Sequence, residues 1–266
     1  MTVVRTSTPH VLLLMFLLVL LALPSSATAQ ITDINTAINK AGRARMLSQR
    51  MAKVYFQLGQ DVDTQRSQRI LDTSLAQFDR QLVELKNYAP NNEIRETYLE
   101  LEQTWIPLKD LLVGATPQLD NAHAVLELSD RVLALAHQGT NQLEALADTS
   151  SGYLVNRSGH LRFLSQRMAR NYQAISWGVQ NEALADELNN VRAAFVAALN
   201  ELSEHPDNTL PVKSRLELLR QQWYFFESAL DERRLDDQTL ATSVATTSER
   251  ILEMAEEIVE LYEAML

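Results

Sequence analysis

The chain has 266 residues, with 24 Lys and Arg against 34 Asp and Glu for a formal net charge of −10, and no Cys. The lack of Cys excludes disulfides, thiolate metal sites and Cys nucleophiles, and the acidic balance argues against general nucleic-acid binding, which needs a basic face. Seven Gly and seven Pro are few turn residues for a β-rich protein of this length, so helix is favoured.

The first element is a targeting segment. Arg5 precedes an unbroken apolar run from Val11 to Leu23, then Pro24, Ser25, Ser26 and the small-x-small string Ala27-Thr28-Ala29. This predicts a cleaved secretory signal peptide over residues 1–29. The run is shorter than the ~20 residues of a membrane span, so a retained N-terminal anchor is the lesser alternative. The mature chain is expected to be periplasmic or secreted, with no stable membrane span.

The mature chain is one unit written twice. Asn39 to Tyr55 reads NKAGRARMLSQRMAKVY, and Asn156 to Tyr172, 117 positions later, reads NRSGHLRFLSQRMARNY, with ten of seventeen positions identical. Weaker matches follow: Phe78 with Phe195, Trp105 with Trp223, and Ser129-Asp130-Arg131-Val132-Leu133 with Ser248-Glu249-Arg250-Ile251-Leu252. Residues 31–148 and 152–266 are read as two copies of one domain, a period too long for a solenoid.

Each copy is expected to form four helices, making an all-α protein of two tandem antiparallel four-helix bundles. Predicted helices are 31–60, 62–88 and 91–113 in copy 1, and 153–180, 183–204 and 209–231 in copy 2. The last helix is the clearest, with Leu240, Val244, Thr247, Ile251, Met254, Ile258, Leu261 and Met265 spaced as a heptad seam. Its counterpart keeps Val125, Leu128, Val132 and Leu135, then loses the pattern at Gly139 and Gln142. Pro107 inside a helix predicts a kink. If the break Asp148–Gly152 reverses the chain, the two first helices run parallel and can pack as an internal imitation of a dimer. If it stays helical, the bundles lie end to end.

The duplicated string carries the candidate chemistry. Ile38, Gly42, Arg45 and Gln49 share one helix face, as do Val155, Gly159, Arg162 and Gln166. An interior helix Gly costs about 1 kcal/mol relative to Ala, so a pair at matched positions implies close approach by a helix or ligand. One turn on, each guanidinium offers a planar fork of donors suited to a planar oxyanion. Arg45 facing Arg162 would repel unless an anion sat between them. Ser48, Ser165, Gln49 and Gln166 could donate to that anion or line a polar seam. Met46, Met51, Met168 and Phe163 read as core, and Tyr55 and Tyr172 as packing residues. His160, where copy 1 has Arg43, could tune the site with pH or be an exposed helix residue.

The Asn-x-Ala/Ser-Gly-x-x-Arg-Met/Phe-x-Ser-x-Arg string resembles the ligand-binding box of a sensor domain. That domain is shared by nitrate/nitrite-sensing histidine kinases (NarX-like) and the N-terminal region of type IV pilus methyl-accepting chemotaxis proteins (PilJ-type). The resemblance implies a four-helix bundle whose ligand sits where two first helices meet. It implies ligand contacts at Arg45 and Arg162, with Gly42 and Gly159, Asn39 and Asn156, and a second Arg at Arg50 and Arg167. Salt bridging inside the bundle is the competing role for Arg50 and Arg167.

No catalytic signature, metal spacing or cofactor fingerprint is present in the string. The expected function is a non-enzymatic module that needs no cofactor and binds a small anion, nitrate or nitrite first. The alternative is a structural or interaction bundle acting with a membrane receptor, a pilus or chemotaxis component, or a second copy. Contact of the basic faces with anionic lipid is a weaker third reading.

The charge is unevenly placed. Residues 39–55 hold Lys40, Arg43, Arg45, Arg50 and Lys53 with no acid, and residues 156–172 hold Arg157, Arg162, Arg167 and Arg170 with none. Two basic islands in an acidic body favour a small sequestered anion over a polyanion.

Overall fold

Eight helices in two sets of four follow from the duplicated pattern, and the computed structural model describes them over residues 31–265, apart from 115 and 232–237. The signal-peptide segment 1–29 lies outside the described residues. In the first half α1 is Ile34–Gly59, α2 Thr64–Tyr88, α3 Asn92–Val113 and α4 Ala122–Ala147. In the second half α5 is Ser150–Ser176, α6 Ala183–Glu204, α7 Leu210–Asp231 and α8 Gln238–Glu263. A short 3-10 turn, Leu119–Asn121, leads into α4. No strand is present among the described residues.

Local chemistry sets the helix starts. Asp33 accepts from the Thr36 backbone N–H at 2.8 Å, Asn91 from that of Ile94 at 2.9 Å, and Thr149 from that of Gly152 at 3.1 Å. Each side chain satisfies a donor that the first helical turn leaves free. The α1–α2 connection uses Asp61 and Asp63 at positive φ, a conformation Asp tolerates better than most residues. Pro107 is carried inside an unbroken α3.

In each half the first helix lies between the second and fourth, and the third packs on the fourth. Phe78 meets Trp105 at 4.3 Å between α2 and α3, and Phe195 meets Trp223 at 4.6 Å between α6 and α7. The weakly matched aromatics thus make the same contact in both halves. Gly139, where the α4 seam fails, admits the Tyr98 ring: a Cβ there would lie 2.8 Å from it.

The break after α4 reverses the chain. Asp148 adopts a left-handed conformation at φ 46°, and Thr149 immediately caps α5. α1 and α5 then run parallel and form the most extensive helix–helix contact among the described residues. Partners rise together along the pair: Asn156 with Arg45, Gln166 with Lys53, Gln173 with Gln60. The tandem copies are therefore packed as an internal pseudo-dimer.

Candidate functional site

α1 and α5 are buried on nearly every side, although both are rich in polar residues. Polar groups in such a position need partners inside the protein. Arg45 and Arg162, at matched positions, are both fully buried. A methyl added at Gly42 would meet Arg162 Nη2 at 3.0 Å and Arg45 Nη2 at 3.1 Å, and one at Gly159 would meet both at 3.2 Å. Both guanidiniums therefore converge on the one spot where the two helix backbones carry no side chain. The glycines make the room that the arginines occupy.

The bonds across this spot are reciprocal. Arg45 Nη2 donates to Asn156 Oδ1 at 2.7 Å, and Arg162 Nη1 donates to Asn39 Oδ1 at 2.8 Å. Each Asn is oriented by a carboxylate on the fourth helix of the opposite half. Asn39 Nδ2 donates to Glu263 at 2.7 Å, and Asn156 Nδ2 donates to Glu144. This is the self-complementary pattern of a two-fold interface, made within one chain. Both Nε atoms are buried without a hydrogen-bond partner.

The model of the type IV pili methyl-accepting chemotaxis transducer N-terminal region matches the chain twice, over residues 27–135 and 147–254. The chain belongs to this family. No curated protein and no solved structure matches it. The family is a sensory module rather than a catalytic one, and here two of its domains stand in tandem.

Within this PilJ-type pair the symmetry is broken at the arginines' outer partners. Arg162 Nη1 reaches Glu256 at 2.7 Å, and Glu256 also holds Arg43 at 3.0 Å. With the fourth helices aligned on Ser129–Leu133 and Ser248–Leu252, the residue in the place of Glu256 is His137. Arg45 Nη1 lies 3.0 Å from His137 Nδ1, and its guanidinium sits 5.2 Å from the Phe163 ring centroid, a cation–π contact. Arginine can only donate, so His137 meets it with a lone pair. His160 replaces Arg43 and bonds the Asn156 carbonyl through Nδ1 at 2.9 Å.

The electrostatics follow. Burial, and then the Arg162 charge, bring Arg45 down to about 9. Burial also lowers Arg162, against the opposing pull of Glu256. Burial and the charge of Arg45 lower His137 to about 4 and His160 to about 3, so both are neutral at pH 7.

About two turns further lies a second polar layer. Lys53, fully buried, donates to Glu249 at 2.5 Å and to Gln166 at 2.7 Å. Its counterpart Arg170 reaches Asp130 at 2.5 Å and Glu187 at 3.0 Å. Lys53, Arg162 and Arg170 thus each touch a carboxylate, and among the described residues Arg45 touches none. The acid that acts on Arg45 is Glu144, through space and against the lowering by burial and Arg162.

Arg50 and Arg167 are not brought to the pair. Arg50 pairs with Glu249 and Arg167 with Glu187, at the seams of the first helices with α8 and α6. Ser48 and Ser165 bond backwards to the Arg45 and Arg162 carbonyls at 2.8 Å, and Gln49 and Gln166 bond the Ser129 and Ser248 carbonyls. They form a polar seam. Met46, Met51, Met168 and Phe163 are core, and Tyr55 is buried with its hydroxyl bonded to Gln118. From the sequence, Lys53 and Arg170 stand out only as members of the basic islands, and His137 and Glu256 do not stand out as site residues. Aligning the two fourth helices through to their ends would have exposed the His137–Glu256 mismatch.

Proposed function

We propose that the chain is an exported, non-enzymatic sensory module that holds a small oxyanion, nitrate or nitrite first, against Arg45 and Arg162 where its two halves meet. The observation that carries this reading is the convergence of two buried guanidiniums over Gly42 and Gly159, with no carboxylate in contact with Arg45. A planar oxyanion there would accept from both forks and offset the desolvation and repulsion that lower Arg45. A signal peptide over 1–29 and a membrane chemoreceptor or chemotaxis component as partner fit the same reading. Among the described residues no helix is long and apolar enough to cross a membrane.

The reciprocal Asn39 and Asn156 bonds favour a second reading, in which the boxes are packing seams of an interaction module. Calorimetric titration of nitrate and nitrite into the mature protein separates the two. Saturable heat with the parent chain, lost in Arg45→Ala/Arg162→Ala, supports the anion site. No heat from either anion with a folded parent chain leaves the packing-seam reading.

A further inference from the structure

The two flanks of the arginine pair differ. On the flank of Arg162, Glu256 bridges Arg43 and Arg162 and fills the approach with a built-in carboxylate. On the flank of Arg45, a groove of about 570 Å3 runs between α4, α5 and α6. Leu133, Ala134, Phe163, Leu164, Val191 and Ala194 give it an apolar lining. His137 and His160 stand in its wall, their rings edge to face at 5.7 Å, with Phe163 5.3 Å from His160. Arg45 lies directly behind these rings, in contact with both His137 and Phe163.

We propose that this groove binds a small organic monocarboxylate with an apolar body, whose carboxylate takes at Arg45 the place that Glu256 takes at Arg162. The inference rests on reading the arginine pair as an anion site, and it names the ligand class. A bare oxyanion fills little of a groove this size, whereas a mostly apolar cleft with a few polar groups at one end suits an organic molecule with one charged group. The other charges of the groove are already paired: Arg157 with Glu201 at 2.8 Å, Arg167 with Glu187 at 2.6 Å, and Asp130 with Arg170. Arg45 keeps an unpartnered Nε and binds a neutral imidazole through Nη1. A carboxylate displacing His137 Nδ1 would exchange a neutral acceptor for a charged one, and guanidinium forks bind carboxylates side by side.

The test is calorimetry on the full mature chain with benzoate, phenylacetate and hexanoate, and separately with nitrate. Ala134 and Ala194 are exposed on the groove, so Ala134→Trp and Ala194→Trp fill it without disturbing the core. At least one carboxylate is expected to bind, and to weaken about tenfold or more in either Trp variant and in Arg45→Gln. Nitrate affinity is expected to survive the Trp variants. If none of the three carboxylates binds, or if those that bind ignore both Trp variants, the groove proposal is overturned whatever nitrate does. If the carboxylates behave as expected and nitrate does not bind, the groove stands and the oxyanion reading falls.

Discussion

Arg45 and Arg162 occupy matched positions with unequal surroundings, and that inequality has measurable consequences. Removing one partner from a buried ion pair costs about 3–5 kcal/mol, whereas removing a buried donor whose partners are neutral costs about 1–3 kcal/mol for the acceptors it leaves unsatisfied. Glu256 holds both Arg162 and Arg43 and is partly exposed, so Glu256→Gln should lose roughly 2–4 kcal/mol. Arg45→Met should lose less, about 1–2 kcal/mol, because Asn156 Oδ1 and His137 Nδ1 lose their donor while a desolvated, repelled cation is removed. Urea unfolding without added anion checks the order, and a larger loss for Arg45→Met would contradict it. The histidines set a pH dependence. His137 and His160 have folded values near 4 and 3, below the 6.5 of a free histidine. The unfolded chain therefore binds more protons, and the stability they contribute is complete above about pH 6.5 and is lost as pH falls towards 4. Their ring contacts are each other, Arg45, Asn141, Asn156 and Phe163, with the Arg157 charge also acting on His160. None of these is a carboxylate that would reverse the sign. Melting temperature should fall across that window in the parent, and the fall should flatten in His137→Gln/His160→Gln.

At the scale of elements, helix positions were legible because apolar spacing and caps act locally. The expected 91–113 and 183–204 helices match α3 and α6 to within a residue. The start of α5 at Ser150, rather than 153, depends on Thr149 capping straight after the left-handed Asp148, a detail that hydrophobic periodicity does not carry. The lapse in the α4 seam was also visible in the string, but its cause was not. Gly139 gives way to a ring from α3, a partner known only once the helices are assembled. Gly139→Ala should therefore destabilise by about 1–3 kcal/mol, despite a helix-propensity gain of about 1 kcal/mol. Thermal or urea unfolding reads this, and a stabilised variant would show that Tyr98 yields freely.

At the scale of the whole molecule, the duplication was legible from ten identities in seventeen residues, but the relation between the copies was not. It depends on a two-residue reversal, for which the string offered two outcomes. Once α1 and α5 lie parallel, each box faces the other, and Gly42, Gly159, Asn39, Asn156 and the two arginines come together. Arg50 and Arg167 do not, because five residues along a helix turns a side chain to another face. The acidic net charge remains on the outside of an arrangement whose centre holds four buried cations. Arg45 and Arg162 are buried together, and under the proposed function they receive an anion. The most direct measurement follows their Nε–H signals in a proton–nitrogen correlation spectrum, identified by loss in Arg45→Lys and Arg162→Lys. Both Nε groups are buried without acceptors, so both signals should exchange slowly with water and both should move when nitrate is added to saturation. Signals that exchange as fast as those of surface arginines would contradict the paired burial, and slow signals indifferent to nitrate would contradict the anion site.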